Sequence, residues 1–178
     1  GYKAQGMEVD ADARKYAADN YQLEVKEPSK LLAQDITEEY DVITLWHVME
    51  HLHDTEKYLT WINKALKSDG ALLMALPNCS SYDAKHFGEF WAAYDVPRHL
   101  WHFTPQTFEP YLKQFNFELK TIKRLPFDAY YNSLMSAKYR GDKLSLVSGF
   151  IIGFISNLKS FFAPGKTSSV IYILRKTK

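Results

Sequence analysis

Between Tyr40 and Asp54 the sequence YDVITLWHVMEHLHD turns from an apolar run into a cluster of titratable side chains: His47, Glu50, His51, His53 and Asp54. Imidazoles move protons near neutral pH, and with carboxylates they can also hold a divalent ion. His47, Glu50 and His51 follow the H-x-x-E-H order of a zinc peptidase, whose motif belongs on a helix. Here the first histidine comes within two residues of a β-branched run, and 178 residues leave little room for a peptidase cleft. A second set lies in PRHLWHFT, where His99 and His102 join His51 and His47 as candidate bases and Arg98 could hold an acidic group of a substrate. Glu8 is a third candidate. An acid just past a strand can accept both hydroxyls of a nucleoside ribose.

These groups need a scaffold, and the hydrophobic pattern supplies one. Asp41-Val42-Ile43-Thr44-Leu45 reads as a central strand covered on both faces, so the polar residues after it sit where open α/β sheets bind ligands. Ala4 to Asp10 reads as a short strand, followed by a helix over Ala11 to Asn20 that Asp10 caps. Leu23 to Val25 reads as another strand, and Lys26 to Glu39 as a loop. Asp54 caps a helix with Tyr58, Leu59, Ile62, Ala65 and Leu66 on one face, which Ser68-Asp69-Gly70 stops, Gly70 being suited to a left-handed cap. Ala71 to Leu76 is then a buried strand, which completes a βαβ unit.

Tyr82 to His102 is dense in aromatic residues and reads either as a pocket wall or as a packed surface loop. Thr104-Pro105 starts a helix with Phe108, Tyr111, Leu112 and Phe115 inward. Phe117 to Leu125 and Ser168 to Lys176 read as strands that pair antiparallel. Residues 128–165 form a helical insertion or lid before the last strand. Within it, 144–162 reads first as a buried or lid helix, second as a surface for a lipidic substrate or a membrane, and last as a span, since a span wants about 20 apolar residues.

Composition excludes several classes. A net charge of +1 with no block of like charges gives no footprint for nucleic acid, and 46% hydrophobic content suits a folded domain rather than a disordered chain. The single cysteine, Cys79, rules out an intrachain disulfide and fits a reducing, cytoplasmic compartment.

The runs GMEVDADARKYA, YDVITLWHVMEHLHD, LKSDGALLMALPN and VPRHLWHFTPQTF, in this order, resemble the class I methyltransferases that use S-adenosylmethionine, especially the branch similar to the ubiquinone-biosynthesis O-methyltransferases. The resemblance runs from about Gly6 to Arg124. It implies a Rossmann-like, doubly wound α/β fold with a mostly parallel sheet and an antiparallel last strand, in one methyltransferase domain over 1–178. It implies methyl transfer to a small-molecule acceptor, with Glu8 and Val9 at the ribose and Trp46 and His47 along the methionine part of the cofactor. The small-RNA 2′-O-methyltransferases, which are similar in carrying an E-x-x-E-H cluster and a later histidine, imply a divalent ion on His47, Glu50, His51 and His102. One departure stands out. The family's first strand and glycine-rich loop belong upstream of Gly6, where only five residues remain, so the chain is expected to be N-terminally incomplete and weak in cofactor binding alone. The alternative is a non-catalytic binding module of the same fold.

Overall fold

A computed structural model describes Gly1 and residues 3–177. The chain forms two compact units, Gly1–Thr37 and Glu38–Lys178. In the first, β1 (Gln5–Met7) and β2 (Glu24–Lys26) pair in parallel around α1 (Ala11–Tyr21), a βαβ crossover. Asp10 caps α1, its Oδ1 accepting the Ala13 N–H at 2.8 Å, and Gln22 ends it in the left-handed conformation. The stretch read as a plain loop holds a short helix, α2 (Pro28–Leu32). Pro28 at its first turn costs no hydrogen bond, because that N–H would have been unpaired anyway.

The second unit is built on a four-stranded sheet of β3 (Tyr40–Trp46), β4 (Leu66–Pro77), β5 (Phe117–Arg124) and β6 (Ser169–Lys176), ordered β3-β4-β6-β5. β3 and β4 run parallel, while β6 runs against both β4 and β5. α3 (Thr55–Ala65) makes the crossover from β3 to β4, capped by Asp54. α5 (Pro105–Lys113) begins in a capping box between Thr104 and Thr107. Leu59 and Ile62 of α3, Phe108 and Leu112 of α5, and Leu72, Met74, Leu76, Tyr172 and Leu174 of the sheet form one apolar core. This is the mixed α/β sheet with one antiparallel strand that the sequence implies.

Two readings of single elements change. β3 is an edge of its sheet rather than a strand covered on both faces: Val42 is 52% exposed, and no ladder forms on its far side among the described residues. Gly70 is not a left-handed cap, for β4 already starts at Leu66 and Gly70 lies within it. Tyr40 pairs with Leu66 and Val42 with Ala71, so Lys67 to Gly70 bulge out between the two pairs. A Cβ at Gly70 would come within 2.8 Å of the Leu66 side chain, and that close approach accounts for the glycine.

Past the C-terminal end of β4 a second apolar cluster gathers. α4 (Tyr82–Phe87), the turns Gly88–Phe90 and Ala92–Tyr94, α6 (Pro126–Arg140) and α7 (Ser145–Phe162) meet around Phe87, Trp91, Ala137 and Ile152. The last two helices lie backbone to backbone. A Cβ on Gly149 would sit 2.6 Å from Leu134 Cα, and one on Gly153 2.9 Å from Ala129 O, so the four-residue glycine spacing is a true close approach. Only this small-residue face of α7 is buried, together with Ile152, Ser156 and Ser160; its outer face is exposed, which corrects the reading of a buried helix.

Candidate functional site

The site forms where β3 ends. His47 takes φ +52°, a left-handed conformation uncommon for a non-glycine residue, while its N–H still reaches Ala75 O at 3.0 Å as a last rung of the ladder. The turn Met49–His51 follows at once and buries Glu50. Both ring nitrogens of His47 are engaged: Nε2 lies 3.0 Å from Asp128 Oδ2 on α6, and Nδ1 lies 3.1 Å from Glu50 Oε1. The hydrogen bond to Asp128, then that to Glu50, raise the imidazole to about 9 against the opposing pull of burial. Asp128 stands in the first turn of α6, where the helix dipole favours an acid.

The aromatic segment after α4 is bonded onto this turn. Leu100 N–H donates to Glu50 O at 2.8 Å, Trp101 Nε1 to Leu52 O at 2.8 Å, and His51 Nδ1 to Arg98 O at 3.0 Å. His99 Nδ1 donates to Ala93 O at 2.8 Å, and its ring meets that of His51 edge to face, centroids 4.7 Å apart. The segment is therefore a wall as well as a packed loop. With α6 it encloses a cleft of about 330 Å³ that His47, Asp95, Arg98, His99, Asp128 and Tyr131 help to line. Arg98 is paired with Asp95 in that wall.

The sequence-predicted groups separate accordingly. His99 lines the cleft and stands against His51. His102 turns elsewhere, its Nε2 on Tyr94 O at 2.9 Å and its ring against Tyr94. The four-residue ion set is not brought together: His47 has both nitrogens bonded to carboxylates, and among the described residues the group whose ligand atoms lie within 4.8 Å of one another is Glu50, His51 and His99. Two features suit that trio to an ion. Each histidine gives Nδ1–H to a backbone carbonyl, which leaves Nε2 as the ligating nitrogen, and Glu50 Oε2 is buried without a hydrogen-bond partner.

Glu8 follows β1 in the first unit. Arg14 Nη1 donates to Glu8 O and Val9 O at 2.8 Å, which fixes the strand end, and Glu8 Oε1 accepts the Asp10 N–H at 2.9 Å. Oε2 has no hydrogen-bond partner among the described residues, and Val9 is largely exposed. Trp46 is half exposed at the end of β3. Sequence reasoning missed Asp128, Asp95 and Tyr131. An acid two residues after a proline is an ordinary helix-start signal, and nothing local ties it to His47.

Comparison with known proteins identifies the scaffold. A family model described as a methyltransferase domain matches residues 1–122. No curated protein sequence matches the chain. Among solved structures, the chain is similar to a SAM-dependent methyltransferase from Archaeoglobus fulgidus, with a TM-score of 0.60 and 17% identity over 96% of this chain and 75% of that one. It is also similar to coclaurine N-methyltransferase bound to N-methylheliamine and SAH, with a TM-score of 0.59 and 15% identity over 98% and 58%. The [4+2]-cyclase SpnF gives a TM-score of 0.62 and 12% identity over 97% and 65%. The chain thus spans about two thirds of SpnF's length and less of coclaurine N-methyltransferase's. At such identities the likeness is one of fold, and the fold carries a cyclase as well as methyltransferases. With the family model covering well over half of it, this chain belongs to the class I S-adenosylmethionine-dependent methyltransferase family.

Proposed function

We propose that the protein takes part in methyl transfer from S-adenosylmethionine to a small molecule seated in the cleft beside His47 and His99. The observation that carries this is the cleft's place, past the C-terminal ends of parallel strands and walled by an imidazole whose Nδ1 is fixed by Ala93 O. When bound, the cofactor supplies an electrophilic methyl carbon on a sulfonium, which leaves S-adenosylhomocysteine once its bond to sulfur breaks. The chain's residues hold and orient. Glu8 Oε2 is the acceptor for a ribose hydroxyl, Val9 flanks it, and Trp46 with His47 marks the strand end that serves the methionine portion. His99 Nε2 takes the acceptor's proton, with His51 behind it and His102 outside the role because its Nε2 is spent on Tyr94 O.

The test starts with binding. Glu8→Ala should weaken S-adenosylmethionine binding by about 1.5 to 3 kcal/mol, a charge-assisted hydrogen bond to the ribose. Calorimetry on the wild-type protein and the variant, giving the same affinity for both, would count against the assignment. Should the wild type bind cofactor and transfer nothing, the non-catalytic binding module becomes the better account.

A divalent ion on Glu50, His51 and His99 is the alternative form of this proposal, carried by the orphaned Glu50 Oε2; it would occupy the His99 Nε2 that otherwise acts as the base. There it would lower the pKa of an acceptor hydroxyl. Cobalt should give a visible absorption band with the wild type that Glu50→Gln abolishes, and identical spectra would dismiss the site. The proposal also extends to an acceptor of the kind the ubiquinone branch methylates, polar at its reacting end and lipidic beyond, because Tyr131, Met135 and Tyr139 of α6 give the cleft an aromatic and apolar wall. In it the helices within 128–165 act as the lid of a single methyltransferase domain over 1–178. The cytoplasm is the proposed setting, in keeping with Cys79, whose Sγ donates to Phe103 O.

A further inference from the structure

Helix α7 presents two faces of different kinds. Gly149, Ile152, Gly153, Ser156 and Ser160 are turned inward, and the two glycines let α6 approach to backbone contact. On the other side Leu146, Phe150, Phe154, Leu158, Phe161 and Phe162 recur at helical spacing and are all more than half exposed. Leu134 of α6 extends this surface, lining with Leu146, Val147, Phe150 and Ile151 a shallow groove of about 420 Å³. A monomeric soluble protein rarely leaves so continuous an apolar stripe in water.

Charge narrows the choice of what covers it. From Lys143 to Lys178 the sequence contains lysine and arginine but neither aspartate nor glutamate. Lys143 is exposed just before the helix and Lys166 just after it, while Lys159 near its end turns its Nζ over the Tyr82 ring at 3.9 Å. Asp142, the nearest acid before α7, is held by Arg140 at 2.7 Å and takes a hydrogen bond from Ser148. A second copy of this face would bring lysines against lysines with no acid to offset them. An anionic bilayer surface offers the opposite: acyl chains for the phenylalanines and phosphates for the lysines flanking the stripe.

Length alone would let α7 cross a membrane, since eighteen residues rise about 27 Å. Its inner face is already committed to α6, so only the outer face is left for lipid. We infer that α7 lies in the headgroup region of an anionic membrane, its outer stripe sunk to the acyl boundary and its glycine face holding α6. Docking of this kind does not require the protein to be an enzyme. A second step does rest on the proposed methyl transfer: α6 carries Tyr131, Met135 and Tyr139 on the cleft wall, so the helix pair would set the cleft beside the lipid phase from which an apolar acceptor comes.

The test is vesicle flotation with the full chain, using phosphatidylcholine alone and phosphatidylcholine mixed with phosphatidylglycerol. The wild type should float with the mixed vesicles and much less with the neutral ones, and added salt should reduce its binding. Phe154→Asp combined with Phe161→Asp should lower the bound fraction about tenfold, the expected result of placing two carboxylates in the acyl boundary. Lys143→Glu combined with Lys166→Glu should abolish the preference for phosphatidylglycerol. All four substitutions are at exposed positions, and unchanged thermal unfolding would show that the fold survives. No flotation with either vesicle, equal flotation with both, or equal flotation of the phenylalanine variant would each overturn the inference. So would a dimer, seen by sedimentation equilibrium, that the phenylalanine variant dissolves while vesicles are ignored. Flotation of a protein that transfers no methyl group would leave docking in place and remove only the second step.

Discussion

Asp83→Ala should destabilise the second unit by about 3 to 5 kcal/mol, because one fully buried carboxyl group ties together the helices around the cleft. Its Oδ2 accepts from Trp91 Nε1 at 2.8 Å and from Ser168 Oγ at 2.7 Å, and its Oδ1 accepts from Ser156 Oγ at 2.7 Å. Asn132 Nδ2 then donates to Ser168 Oγ at 2.9 Å. The group belongs to α4, and its partners lie on the wall segment, the lead-in to β6, α7 and α6. Alanine would strand these donors where no water reaches, each at about 1 to 3 kcal/mol, with a sum reduced by local relaxation. Asparagine offers a sharper comparison. It keeps an acceptor for Trp91, and Ser156 can turn its hydroxyl to accept instead of donate, so its cost should be about 1 to 2 kcal/mol. Urea unfolding of both variants checks this. Equal losses for the two, or a loss below about 1 kcal/mol for alanine, would mean that the network is not what holds α6 and α7 in place.

How much of this was legible in the sequence depended on how local the cause was. Asp54 and Thr104 announced helix starts because a cap acts within three residues of itself, and both caps are present. The strand at Asp41 to Leu45 was equally plain, yet its standing in the sheet was not, since edge or centre is decided by which strands come to lie beside it. Gly70 shows the same limit at shorter range. A glycine between a helix and a strand suggests a left-handed cap, but here the helix had already ended and the close approach of Leu66 required the glycine. In the site, the cluster after β3 was visible as composition, whereas the partition of its histidines was not. His99 and His102 are both in PRHLWHFT, and only the backbone carbonyls of Ala93 and Tyr94 decide which one faces the cleft. Asp83 and Asp128 carry no local sign of their partners on distant elements.

Another pairing that escaped the sequence, His47 with Asp128, should make the stability of the protein depend on pH in a direction that can be stated. The imidazole is raised from its ordinary 6.5 to about 9, first by Asp128 and then by Glu50, so between those values the folded state holds a proton that the unfolded chain has released. Its contribution is therefore full below about pH 6.5 and is lost as pH rises through about 9. The shift alone would correspond to about 3 kcal/mol, but the His47 side chain is 36% exposed, and screening by solvent brings the expected loss to about 1 to 2 kcal/mol. Urea midpoints at about pH 6 and about pH 10 should show the wild type falling toward His47→Gln, with the gap between the two narrowing by that amount. A constant gap would mean that the ion pair contributes nothing differential. The same tether joins the end of β3 to the first turn of α6, so its loss should loosen one wall of the cleft. Asp128→Asn, which removes the larger of the two influences on the imidazole and keeps the side chain's shape, should reproduce most of the high-pH behaviour at neutral pH.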